Sequence, residues 1–237
     1  MFYFDPIYMV IAVFGLILTL IPQMLVKNTF KSFSQVATRR GMTGAQVAQA
    51  LLSEAGVNDV VVESTEGSLT DHYDPTVKVL RLSQEIYNGR SIAASGIAAH
   101  EVGHAIQDNR GYMPMKLRAG FVPIVQVSQM LGPILLMAGF GLRAVMNIGG
   151  FSDIIALAGI ALYGAAVLFQ IITLPVEFDA SFRAIRALSS GGYLVEDENV
   201  GAKKVLTAAA LTYVAAALYA LIELLYWVWM LFGRSRD

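Results

Sequence analysis

Four long apolar runs constrain this chain more than any other feature, at roughly residues 7–26, 121–142, 154–174 and 208–231. A helix needs about 20 apolar residues to cross the ~30 Å hydrocarbon core of a bilayer, and each run is near that length. Inside lipid the backbone has no water to bond, so each run is expected as a helix rather than as loop or open sheet. Composition agrees: 56 % of the 237 residues are hydrophobic and 15 % are charged, against about 25 % charged in an ordinary soluble domain. Met1 to Asp5 form no basic segment ahead of the first run, and no clear small-residue cleavage site follows it, so that run is expected to remain as an anchor.

The basic residues give the expected topology. Lys27, Lys31, Arg39 and Arg40 follow the first run, and Arg110, Lys116 and Arg118 precede the second. Arg183, Arg186, Lys203 and Lys204 lie between the third and fourth, whereas the link 147–153 has no Lys or Arg. The positive-inside rule places the basic segments in the cytoplasm and the N-terminus outside. Arg234 and Arg236 then fall on the outer side, against the bias, so the last run is expected either to cross or to be bent, re-entrant or partly soluble at its Ala-rich start. The expected organisation is an anchor at 1–27, a cytoplasmic α+β segment at 28–118, two crossings within 119–174, a cytoplasmic helix within 175–204 and a last crossing within 205–237. A net charge of −1 suggests no nucleic-acid partner. With no cysteine, a metal in this chain must be held by His and carboxylates.

Such a site is suggested by His100-Glu101-Val102-Gly103-His104. Residues four apart stack on one helix face, so His100 and His104 can ligate one ion while Glu101 reaches a water beside it. Zinc is the expected ion, one per chain, because three protein ligands leave a fourth position open for hydrolysis. The helix is expected over about 91–108, too short to cross a membrane and therefore buried in protein or resting near the bilayer. The candidate third ligand is Glu177, just after the third apolar run. Pro175 suits the first turn of a helix continuing to Leu188 and stopping at Gly191-Gly192. On it Glu177, Ser181 and Ala184 share a face, while Asp179 and Arg183 are spaced for an i,i+4 ion pair.

Between the first run and the metal motif the sequence reads as α+β structure. Thr43 is the expected N-cap of a helix through Val47, Leu51 and Leu52, ended by Gly56. Residues 59–63 read as a strand, 66–68 and 74–75 as turns, and 76–82 as a second strand whose alternation slips near Leu80. That second strand is expected either to hold an extended peptide at an exposed sheet edge or simply to close a small core. His72 sits in the polar loop before it, where it either acts on substrate as an oxyanion donor or is hydrogen-bonded in the turn with Asp74-Pro75; neighbouring Tyr73 is a catalytic candidate on the same grounds. Glu223, inside the last apolar run, is expected to face protein and pair with Arg143, or to lie at the interface among Tyr226, Trp227 and Trp229.

Several segments together carry a family resemblance: Thr70-Asp71-His72-Tyr73-Asp74-Pro75, Leu80-Arg81-Leu82-Ser83, Ala98-Ala99-His100-Glu101-Val102-Gly103-His104-Ala105-Ile106-Gln107, and Pro175-Val176-Glu177-Phe178. In this combination the chain resembles the YugP-like family of zinc-dependent membrane peptidases, which is distantly similar to HtpX and the CAAX prenyl endopeptidases. The resemblance implies an α-helical membrane protein carrying a small α+β zincin-like, gluzincin-type metallopeptidase domain. It implies His100, His104 and Glu177 as zinc ligands, Glu101 as general base, and a site facing the cytoplasm in a bacterial cytoplasmic membrane. Its substrates would be membrane-associated proteins or peptides, with lipid as a constant partner and room for a homo-oligomer or an accessory membrane protein.

The chain also departs from that pattern. Distant relatives carry Asp four residues after the third ligand, whereas here Ser181 stands there and Asp179 comes two positions early, leaving Asp108 and Asp71 as candidates to orient an imidazole. An intramembrane site-2-type protease is a weaker fit, since the motif lies outside the apolar runs and no Asp-Gly pair occurs. A catalytically silent metal-binding scaffold is the alternative from another class.

Overall fold

A computed structural model of the chain describes residues 5–146 and 150–233. Residues 147–149 of the uncharged link, Arg234, Arg236 and the opening residues 1–4 lie outside them. Among the described residues the protein is mostly helical, with a three-stranded sheet between the second and third helices. In chain order the elements are α1 (Pro6–Ser34), α2 (Gly44–Glu54), β1 (Val61–Thr65), β2 (His72–Asp74), β3 (Val79–Ser83), α3 (Gln84–Asn88), α4 (Ile92–Asn109), α5 (Met113–Met146), α6 (Phe151–Ser190) and α7 (Glu196–Phe232). They form two compact units, one of Met1–Leu20, Leu117–Thr173 and Tyr213–Asp237, the other of Ile21–Lys116 and Leu174–Thr212.

The first unit holds the apolar runs. Among the described residues, α1, α5, α6 and α7 are the four helices long and apolar enough to cross a membrane. Helix α7 runs unbroken for 37 residues. Gly15 is the one buried residue of α1, and a Cβ there would lie 2.0 Å from the Tyr219 ring. Likewise a Cβ on Gly139 would meet the Ala156 backbone at 2.5 Å, and one on Gly159 the Leu136 nitrogen at 2.7 Å. Small residues therefore set the α1–α7 and α5–α6 contacts, as in lipid, where tight packing replaces the hydrophobic drive. Glu223 is tied across three helices, accepting from Tyr8 Oη at 3.1 Å and Tyr163 Oη at 2.6 Å. It does not pair with Arg143, which binds Asp153 at 3.1 Å. Two tyrosine hydroxyls let a carboxyl sit among apolar helices without a buried countercharge.

The second unit is built around α4. Thr43 caps α2 through a full capping box with Gln46, and Gly56 follows the helix at φ +71°, a left-handed conformation that glycine adopts without steric cost. The sheet order is β1-β3-β2, with β1 parallel and β2 antiparallel to β3. The expected second strand begins three residues late, because residues 75–78 form the hairpin turn, with Lys78 at φ +55°. The slip in alternation is that turn. From Val79 to Leu82 the strand alternates, with Leu80 and Leu82 fully buried, and Ser83 at its end is buried as well. Its position also removes the exposed-edge reading, since both edges of β3 are taken by neighbours.

Helix α4 begins one residue after the expected start, its N-cap Ser91 accepting from the Ala94 amide. All but four of its 18 residues are buried, so it is a core helix. Helix α6 does not begin at Pro175 but passes through it as one 40-residue helix. Proline removes one N–H and keeps a helical φ, so the bonds on either side suffice to carry the helix onward. Leu80→Ala is expected to destabilise the second unit by about 2–5 kcal/mol through the cavity it leaves; thermal unfolding of the purified chain followed by circular dichroism measures the loss.

Candidate metal centre

His100 and His104 lie one turn apart on α4, with ring centroids 4.7 Å apart and planes at 82°. Helix α6 crosses them in the antiparallel sense. A Cβ on Gly103 would lie 2.6 Å from the Ala180 carbonyl oxygen and 3.0 Å from its Cα, so the two backbones are in contact between the histidines. This approach delivers Glu177: its Oε2 is 3.4 Å from His100 Nε2 and 3.7 Å from His104 Nε2. The sequence expectation that these three residues meet is met in space, and they form a group able to hold a metal ion.

The donor set fits zinc. Ligand atoms about 2.0–2.1 Å from a tetrahedral ion stand about 3.3–3.4 Å apart, close to the spacing of the carboxylate oxygen from the two imidazole nitrogens. Charge-assisted hydrogen bonds are about 2.7–2.9 Å, shorter than either separation. Glu177 is 3 % exposed. Burial alone would raise its carboxyl, but the two imidazoles outweigh that and hold it well below the usual carboxylate range. Burial likewise opposes a charge on His104, yet the neighbouring Glu177 and Glu101 carboxylates leave that imidazole raised.

Around the donors the partners differ from those expected. His100 Nδ1 lies 3.1 Å from Ser181 Oγ, and His104 Nδ1 lies 3.0 Å from Gln107 Oε1. Neither Asp108 nor Asp71 turns toward an imidazole. Asp108 accepts from Tyr73 Oη at 2.7 Å and from the Lys78 ammonium. Asp71 accepts from the Ser83 amide at 2.8 Å and its hydroxyl at 3.1 Å. Burial pushes the Asp71 carboxyl up, and the charge of Glu101 adds to this against the Ser83 hydrogen bonds. Glu101 itself is buried on α4 beside His100.

The remaining candidates sit on opposite faces of β2. Tyr73 is buried, its hydroxyl spent on Asp108. His72 is exposed, its Nδ1–H donating to the Thr70 carbonyl at 2.8 Å, with Arg81 3.5 Å from Nε2. Neither belongs to the donor group. The expected Asp179–Arg183 pair is present at 2.6 Å. Sequence reasoning gave Gln107 no role. Its i+3 spacing from His104 was the available signal, but the partners on α6 that give it meaning are tertiary.

The class presented by the fold and the site is that of a protein with helices long and apolar enough to cross a membrane and a largely buried His-His-Glu group able to hold a metal ion. A family model described as "Putative neutral zinc metallopeptidase" matches residues 8–232, and the chain belongs to that family. It is 46 % identical over 231 residues to a protein of Bacillus subtilis (strain 168) named "Putative membrane protease YugP", covering 98 % of each chain. No solved structure matches.

If the α4–α6 contact sets the centre, Gly103→Ala should part the helices and weaken zinc binding by about tenfold or more, whereas Gly120→Ala, with open space around its Cβ position, should not. Zinc titration of the metal-stripped proteins against a competing chelator measures both.

Proposed function

We propose that this protein is a zinc-dependent endopeptidase of the membrane that hydrolyses peptide bonds of membrane-associated proteins or peptides near the cytoplasmic face. The observation carrying the reading is the convergence of His100, His104 and Glu177, with Glu101 on the same helix, in a chain of a metallopeptidase family. His100, His104 and Glu177 would hold a zinc ion, which when bound would supply Lewis acidity toward a scissile carbonyl and toward water, whose pKa such sites lower to about 7. Glu101 takes the proton of the attacking water and returns it to the leaving amine. Glu177 and the two histidines keep the donor geometry fixed. The packing of α4 beside a small sheet is consistent with a zincin-like arrangement.

The cytoplasmic assignment is supported by the charge pattern, with Lys27, Lys31, Arg110, Lys116, Arg183, Arg186, Lys203 and Lys204 all flanking the runs on one side. The same side carries the metal motif. Lipid and a protein or peptide substrate are the proposed partners.

Glu101→Gln should lower cleavage of a denatured or membrane-bound protein substrate by about 10²–10⁴-fold while zinc remains bound. Chelation should abolish wild-type cleavage and added zinc restore it. Equal, chelator-insensitive rates in wild type and variant would leave a silent metal-binding scaffold as the better description. For orientation, a reporter fused near Gly67 should report from the cytoplasm; a periplasmic signal reverses the topology.

A further inference from the structure

Gln107 has no exposed surface. A buried amide is kept only where its hydrogen bonds are made, and those of Gln107 join α4 to α6. Its Nε2 lies 2.8 Å from the Val176 carbonyl oxygen and 2.8 Å from Asp179 Oδ2. Both partners accept, so both amide hydrogens are committed to them. That settles which end of the amide faces which way, and Oε1 is the end 3.0 Å from His104 Nδ1. An amide oxygen has no hydrogen to give. The hydrogen of that contact is therefore on Nδ1, and the lone pair of the neutral ring is on Nε2, the nitrogen facing Glu177.

Asp179 is held in turn. Arg183 Nε donates to the same Oδ2 at 2.6 Å, and the guanidinium carbon lies 6.0 Å from the Tyr112 ring centroid. The carboxylate is thus one amide away from the histidine, with its charge balanced on the far side. At His100 the corresponding place is taken by the hydroxyl of Ser181, 3.1 Å from Nδ1. The structure assigns Gln107 as the positioning residue that fixes His104 as a metal ligand, with Asp179 acting on the metal pocket through it. Arg183, Asp179, Gln107 and His104 thus form one hydrogen-bonded chain that ends at Nδ1. Partners that orient a ligating histidine typically contribute 10–100-fold to metal affinity.

The assignment rests on the metal-centre reading, and the test separates the two. Full-length protein in detergent is stripped of metal and titrated with Co²⁺, following both affinity and the visible absorption that reports the ligand geometry. Wild type should bind one equivalent. Gln107→Leu should bind about 10–100-fold more weakly with an altered spectrum, and Asp179→Asn should also bind more weakly although it touches neither histidine. A loss of packing alone would lower stability without moving the spectrum of the bound ion, so the spectral change is what marks Gln107 as a positioning residue. Gln107→Leu that binds like wild type overturns the assignment, and wild-type binding by Asp179→Asn overturns the relay. Should Gln107→Leu not fold, judged by circular dichroism, the Asp179→Asn variant decides on the same terms, since it touches neither histidine. Wild type that binds no Co²⁺ overturns the metal centre itself.

Discussion

The contact of α4 with α6 at Gly103 and Ala180 is the constraint on which the rest of the site depends. Packed helices ordinarily stand 8–10 Å apart, held off by the side chains between them. Here the residue between the two histidines has no Cβ, and the residue facing it has only a methyl. The short side chain of Glu177 can then reach both Nε2 atoms from the opposite helix. The same small-residue logic extends along α4, where Ala93, Ala94, Ala98, Ala99 and Ala105 are almost wholly buried. A helix lined this way can be surrounded by protein without long side chains spacing its neighbours, and the metal motif ends up largely enclosed by protein.

Burial raises the stakes for charge. Glu177 and Glu101 are both buried, and Asp71 feels the charge of Glu101. Carboxylates in such surroundings are costly unless an opposite charge stands beside them. A divalent cation at the convergence of the donors removes most of the imbalance. The geometry and the electrostatics therefore ask for the same occupant. The neighbouring acids are kept from competing for it: Asp108 is consumed by Tyr73 and Lys78, Asp179 by Arg183 and Gln107, and Asp71 by Ser83.

What could be read from the sequence was what local rules determine. The four apolar runs, the Thr43 cap of α2, the extent of α4 to within a residue and the facing of Glu177 with Ser181 all follow from hydropathy, capping or helical period. Features that depend on a partner far along the chain were not legible. Strand β2 has three residues, two of them polar, and forms by pairing with β3 rather than by its own pattern. The start of β3 was obscured because Lys78 adopts a left-handed conformation that no residue type announces except glycine. That β3 is central is a statement about two other strands. Of the two readings of Glu223, the pair with Arg143 followed from charge alone, whereas the helices present tyrosine hydroxyls to it.

The position of Asp179 shows how such distant partners change the meaning of a local pattern. By sequence it belonged to an i,i+4 ion pair on a face of α6 different from that of Glu177, and the ion pair does form. Yet α4 lies across both faces, and Gln107 reaches from between them to bond Asp179 and His104 together. An aspartate at 181 would place a full charge against His100 in a pocket already holding Glu177 and Glu101. A hydroxyl there and an amide at 107 supply the acceptors that the imidazoles need and leave the nearest additional carboxylate balanced by Arg183. The departure at Ser181 and the burial of Gln107 are in this sense one arrangement, in which both histidines are oriented while the charge around the metal is held down.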